Sequence, residues 1–156
     1  MDELHKQLLE YLYYDPETGL FTWIKQKAQK TKVGSIAGHR NNLGYVKIKF
    51  DNKIYSAHRL AWFYVYKQFP VKSLDHINRN PTDNRLSNLR EASITENNQN
   101  TESKGYCFHK LTNKWMARIM TNHKEVYLGL FTTEEEAREA YVKAKRANHL
   151  SWSENV

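Results

Sequence analysis

Three short stretches hold the side chains able to do chemistry: Asp75-His76 within 73–78, Asn88 within 83–90, and Asn97 within 96–100. Carboxylate and amide oxygens suit a hard divalent cation. A neutral imidazole, with an ordinary pKa of ~6.5, can take a proton from water near pH 7. Consecutive residues of a strand point to opposite faces. Asp75 could therefore hold an ion while His76 addresses a water on the other side of a phosphate, the arrangement that metal-assisted phosphodiester hydrolysis needs. An Asp-His pair alone is common and carries little; the weight lies in the spacing of all three stretches.

The elements that must position these groups follow from local pattern. The turn Asn80-Pro81-Thr82-Asp83-Asn84 separates a strand through Asp75-His76 from a second at 89–92. Ser93, with Glu96 three residues on, is a capping box that opens a helix. Upstream, Tyr45, Lys47 and Lys49 alternate with Val46, Ile48 and Phe50, and Asp51-Asn52 turns the chain back through 53–56, which predicts a hairpin with one basic face. Residues 57–67 are apolar almost all round and predict a buried helix ended by Pro70, with Trp62, Phe63 and Val65 in the core. At the front, Leu4, Leu8, Tyr11 and Leu12 predict a helix over 3–14, followed by a turn at Asp15-Pro16-Glu17-Thr18-Gly19 and a strand at 20–24. Residues 25–42 read as a loop with a short strand at 33–37.

Beyond a linker at Thr101-Glu102-Ser103, the pattern predicts strands at 104–110, 114–121 and 125–131 and a helix at 133–148. Tyr106, Phe108, Ala117, Ile119, Val126 and Leu128 share the apolar parity. The opposite parity holds Cys107, His109, Met116, Arg118, Met120, Glu125 and Tyr127, of which His109, Arg118 and Tyr127 suit nucleic acid. Thr133 and Glu136 form a second capping box. Ala137, Ala140, Tyr141, Ala144 and Ala147 make the buried stripe, and Lys143, Lys145 and Arg146 fall at the negative end of the helix.

The net charge is +7 and the isoelectric point about 9.4. Residues 25–59 carry nine basic side chains against one acid, a surplus of eight that exceeds the net charge of the whole chain. A polyanionic partner is expected. Lys47, Lys49 and Arg59 lie in this segment. Arg85 and Arg90 lie nearer Asp75-His76, and either could contact phosphate or brace the fold through Asp83 or Glu91. The single cysteine, Cys107, excludes an internal disulfide and a cysteine-based zinc site. With no apolar run approaching the ~18 residues of a membrane span, no membrane role is expected, and acids in place of a basic leader segment point to the cytoplasm. His39, His109, His123 and His149 have no metal-ligand spacing and are expected at the surface.

The order DHIN, DNRLSNLR, ENNQN resembles the HNH endonuclease motif in its variant ending in Asn, as in phage homing endonucleases. The AHRLAW stretch at 57–62 and Asn97-x-x-Asn100 resemble the same proteins. The resemblance implies a ββα-metal core with Asp75 as first metal ligand and His76 as general base. Asn88 would support the loop and orient the histidine. Asn97 would be the second ligand, with Asn98 and Asn100 as neighbouring alternatives. It further implies Mg²⁺, with Mn²⁺ able to substitute, and products bearing 5′-phosphate and 3′-hydroxyl.

Residues 104–148 resemble the AP2 DNA-binding domain through Lys104-Gly105, Lys114-Trp115-Met116-Ala117-Arg118-Ile119 and Tyr127-Leu128-Gly129-Leu130-Phe131. That resemblance implies a three-stranded sheet laid in the DNA major groove. Cys107 and Glu125 stand where plant AP2 domains tend to have arginine, so their sequence preference does not transfer. The expectation is an α+β chain in three segments: a basic β region with a connecting helix (1–72), the HNH core (73–100) and an AP2-like domain (104–150). It would act on double-stranded DNA as a monomer in a bacterial or phage-infected cell. Two alternatives stand beside it: a non-catalytic AP2-like regulator with a decayed nuclease core, and a restriction or defence nuclease of the same chemistry.

Overall fold

The structure, a computed structural model, describes residues 3–29, 31–101, 103–121 and 124–149; Lys30 of the basic segment and His123 lie outside them. The chain is mixed α and β with small antiparallel sheets. It divides into two compact units, Met1–Ser93 and Ile94–Val156, a boundary that falls inside the 73–100 segment.

The first unit begins with helix α1 (Glu3–Tyr11) and strands β1 (Leu12–Asp15) and β2 (Leu20–Trp23). The helix expected to reach residue 14 ends three residues earlier. Leu12 and Tyr14 sit two apart as well as at helical spacing from Leu8, and pairing with β2 buries both. The turn between β1 and β2 is closed by the Gly19 N–H on the Asp15 carbonyl at 2.8 Å and by the Asp15 carboxylate, which accepts from the Glu17 N–H and the Thr18 hydroxyl.

Strand β3 is only His39–Arg40. The strand expected at 33–37 is reduced to one bridge, Thr22 to Ile36. The expected hairpin forms as β4 (Val46–Phe50) and β5 (Lys53–Ser56), with Asp51 and Asn52 both left-handed (φ 48° and 59°), as a two-residue turn of the I′ kind requires.

Helix α2 (Ala57–Tyr66) follows without a break. It ends on a left-handed Lys67 whose N–H bonds the Phe63 carbonyl, three residues before the proline expected to stop it. Phe63 is buried, but Trp62 is only half-buried against Tyr66, and Val65 is exposed, contrary to its expected place in the core. The core gathers Leu8, Leu12, Phe21, Ile48, Phe50, Leu60 and Phe63, with Leu86 packed against it from the site region. Strands β6 (Ser73–His76) and β7 (Leu89–Ala92), joined through a 3₁₀ turn at Leu86–Asn88, pair antiparallel with Asp75 opposite Arg90 and His76 opposite Leu89.

The second unit holds α3 (Ile94–Gln99), strands β8 (Tyr106–His109), β9 (Lys114–Thr121) and β10 (Lys124–Phe131), and α4 (Glu134–Asn148). The sheet order is β10-β9-β8, and α4 packs on it through buried Ala137 and Tyr141 against Ala117 and Ile119. Thr133 and Glu136 form the full capping box. The Tyr141 ring needs Gly105: a Cβ there would fall 2.0 Å from it.

Two expectations on this sheet are corrected. The pairing of β10 with β9 shifts between Tyr127 and Gly129, which breaks the even parity, and Phe108 and Val126 are exposed rather than core. Lys145 is buried and donates to the Thr101 carbonyl at 2.7 Å, while Ala147 is exposed. His149, expected at the surface, is buried with Nε2 2.9 Å from the Met120 carbonyl oxygen.

Candidate active site

Strand β6 ends on Asp75 and His76, both buried. Arg90, opposite Asp75 on β7, donates to its Oδ2 from Nε at 3.0 Å and from a terminal nitrogen at 2.8 Å. The side chain offered as a phosphate contact is thus an ion-pair partner of the proposed ligand. Arg85 likewise grips Asp83 through two nitrogens, at 2.8 and 2.6 Å, and holds that carboxyl below the usual carboxylate range. Arg85 thus has the Asp83 partner that the sequence offered it, whereas Arg90 pairs with Asp75 rather than with Asp83 or Glu91.

The loop between β6 and β7 is a lattice of side-chain amides. Asn88 accepts the Asn78 backbone N–H at 2.9 Å and donates to the Asn78 side chain and to the Asp83 carbonyl, each at 2.9 Å. Asn84, almost fully buried, reaches the histidine: its Oδ1 lies 3.3 Å from His76 Nε2. The Asn84 amide is oriented by its Nδ2, which donates to the Thr82 carbonyl at 3.3 Å. Its oxygen can only accept, so His76 carries its proton on Nε2 and the imidazole lone pair is on Nδ1. Burial lowers the His76 pKa, against the opposing pull of Asn84, Asp75 and Asp83, and keeps the ring neutral near pH 7.

This loop is anchored to the core from below. The Tyr14 hydroxyl donates to the Asn84 carbonyl at 2.9 Å, and burial pushes that phenol up to about 12, so it remains a donor. Gly19 abuts the same loop: a Cβ there would stand 2.5 Å from the Arg85 nitrogen and 2.7 Å from the Asn84 carbonyl carbon.

A second imidazole completes the neighbourhood. His58, on the first turn of α2, is buried with its ring centroid 5.1 Å from that of His76, at 80°. Tyr45 packs near both, its ring tilted by 57° and 52° with centroids 5.6 and 5.9 Å away. Burial drives the His58 pKa down to about 3, helped by His76, Lys47 and Arg59. Neither Asn84 nor His58 was singled out from the sequence. An asparagine in a polar turn is unexceptional; the one available signal was His58 at the start of a largely apolar helix.

The remaining expected residues are placed as follows. Lys47 donates to the Ser56 hydroxyl at 2.7 Å and is half-buried, whereas Lys49 is exposed. Arg59 is half-buried with its guanidinium 5.9 Å from the Phe69 ring. Part of the basic segment is likewise structural: Lys25 pairs with Glu10, and Lys27 lies 3.5 Å over Phe50. In the second unit Asn97 is exposed on α3, Arg118 pairs with Glu125 at 3.2 Å, His109 bonds Thr112, and Tyr127 is exposed opposite Arg118 in the sheet.

Among the described residues no group of three or more His, Cys, Asp or Glu side chains gathers to hold a metal ion. Asp75 would bring one carboxylate, its Oδ2 shared with Arg90, so an ion held there would depend on water and phosphate oxygens for most of its coordination.

Comparison with known proteins found two partial matches. The family model of the HNH endonucleases matches residues 55–99, which carry the end of β5, α2, the Asp75-His76 strand, the amide loop and α3. This stretch is similar to the HNH endonucleases. The chain is also 35% identical over 79 residues to an AP2-like ethylene-responsive transcription factor, AIL7, of Arabidopsis thaliana. That match covers 47% of this chain and 16% of the plant protein. No solved structure matches.

Proposed function

We propose that this protein is a divalent-metal-dependent DNA endonuclease that cuts double-stranded DNA at directed sites, of the homing kind encoded by phages. The observation that carries the reading is the bond from His76 Nε2 to Asn84 Oδ1, which puts the lone pair of a buried, neutral imidazole on Nδ1. His76 takes a proton from the attacking water through Nδ1. The water oxygen bonds to phosphorus, the bond to the 3′-oxygen breaks, and the products bear a 5′-phosphate and a 3′-hydroxyl. Asn88 keeps the loop in shape, and Asn84 fixes the tautomer. Asp75 and Asn97 are the proposed metal ligands, for Mg²⁺ with Mn²⁺ as substitute; the bound ion would stabilise charge on the phosphate and leaving oxygens.

Lys49, the exposed Arg118 and Tyr127 and the half-buried His109 are the proposed DNA contacts, the last three in an AP2-like second unit. One HNH domain per chain favours nicking by a monomer, with double-strand cleavage requiring a dimer or a second encounter.

The test is incubation of supercoiled plasmid and phage DNA with wild type and His76→Ala, in Mg²⁺, Mn²⁺ or EDTA. Wild type is expected to nick in either metal and not in EDTA, while His76→Ala binds and cuts at least ~10²-fold more slowly. Equal cutting by both proteins removes His76 from the chemistry. Binding without cutting in every metal favours a DNA-binding regulator.

A further inference from the structure

We propose that His58 is a positioning residue for the cleavage reaction: its ring, set edge to face against His76, holds the plane of the base while Asn84 holds its nitrogen. The inference rests on the nuclease reading above and adds a residue to it.

Two constraints are needed to aim an imidazole lone pair. A hydrogen bond at one nitrogen selects the tautomer but does not by itself set the plane of the ring. At 3.3 Å the bond from His76 to Asn84 is long and does little to hold that plane. A packed ring supplies the second constraint. The His58 centroid lies 5.1 Å from that of His76 with the planes at 80°, within the edge-to-face range, and Tyr45 closes on both rings.

His58 is itself rigidly placed. It is the second residue of α2, between buried Ala57 and half-buried Arg59, with buried Leu60 and Ala61 following. Its Nδ1 is buried without a hydrogen-bond partner among the described residues. The ring contact, not a bond from Nδ1, is therefore what the structure makes of this side chain. A shift of about 1 Å in a reacting group can cost a hundredfold in rate, so a wall at this place affects turnover without touching DNA.

Two variants separate ring from polarity. His58→Asn keeps a polar group and removes the ring; His58→Phe keeps a ring and removes the nitrogens. His58→Asn is expected to lower kcat by roughly ten- to a hundredfold with the DNA Kd within about twofold, and His58→Phe to recover most of that loss. A general packing defect would instead affect both variants alike.

Ring-proton NOE spectra of the metal-free protein give a readout that needs no activity. The His76 ring should keep one set of contacts to the Tyr45 ring in wild type and His58→Phe, and weakened, averaged contacts in His58→Asn. Averaged His76 ring contacts already present in wild type overturn the proposal, and that measurement needs no variant to fold. Wild-type kcat and ring contacts in His58→Asn, or His58→Phe as slow as His58→Asn, overturn it equally. If wild type cuts nothing while the His76 ring contacts still follow the ring at position 58, the nuclease reading fails and the positioning relationship stands.

Discussion

The side-chain oxygen of Asn84 lies 3.3 Å from Nε2 of His76, and the nitrogen of the same amide is committed to the Thr82 carbonyl. An amide so tethered cannot turn over to offer its nitrogen, so the imidazole beside it has one tautomer available. Replacing Asn84 by Ala removes that selection. The expected result is a fall in kcat of roughly tenfold or more with DNA affinity retained, read by single-turnover cleavage beside a binding titration. An Asn84→Ala protein that cuts at the wild-type rate would show that the bond has no part in catalysis.

The loop holding Asn84 is shaped by a residue 65 positions upstream. Gly19 has φ +71° and no room for a methyl group against the backbone of Asn84 and Arg85. Gly19→Ala is therefore expected to cost about 1 to 3 kcal/mol in stability from the left-handed backbone, and to displace the amide that selects the His76 tautomer. Thermal unfolding and cleavage should fall together. A variant that melts lower but cuts at full rate below its transition would uncouple the turn from the site.

Much of this architecture is legible in the sequence, and the misses share a cause. Strict alternation at 45–50 and the Asp51-Asn52 pair give the hairpin, and Thr133 with Glu136 gives the start of α4, because each rests on neighbours in sequence. Leu12 satisfies a three-four spacing and a two spacing at once, and only pairing with Trp23 on β2 decides between them. Burial of Lys145 and His149 depends on backbone carbonyls at Thr101 and Met120, which no local pattern announces. At the site, Asp75, His76 and Asn88 stand out because few sequences hold them at this spacing. Asn84 and His58 act through partners distant in sequence or across the fold, so residue type alone hid them.

Two histidines buried as neutral rings make stability depend on pH. Unfolded, His58 takes a proton below about pH 6.5; folded, it stays neutral down to about pH 3. Between those values the unfolded chain binds more protons, so stability is complete above pH 6.5 and is lost as the pH falls. His76, whose pKa is also lowered by burial, acts in the same direction. The effect of His58 alone is on the order of a few kcal/mol across the window. Denaturant unfolding of wild type should weaken steadily from pH 6.5 to 4, and His58→Phe should show a shallower decline. Parallel curves for the two proteins would mean that His58 does not drive the acid limb.

The same lowering sets the pH dependence of cutting. A general base must be unprotonated, and a base with a depressed pKa stays unprotonated to lower pH. The acid limb of the kcat profile should therefore have its midpoint below the ordinary imidazole value of ~6.5. A midpoint at or above that value, with the protein still folded, would contradict the burial of His76 in the working enzyme.

The two lysines of the hairpin, alike in sequence, should separate in their response to salt. Lys49 is exposed, while Lys47 is half-buried and spends its ammonium on the Ser56 hydroxyl. Removing one lysine–phosphate pairing reduces the slope of log Kd against log salt by about 0.9 on duplex DNA. Lys49→Ala is expected to flatten that slope by about this amount with little change in melting temperature. Lys47→Ala should instead lower the melting temperature and leave the slope nearly unchanged, since its charge is already engaged across β4 and β5. Equal slope changes for both would place Lys47 on the phosphate backbone with Lys49 and would require the Ser56 bond to break when DNA binds.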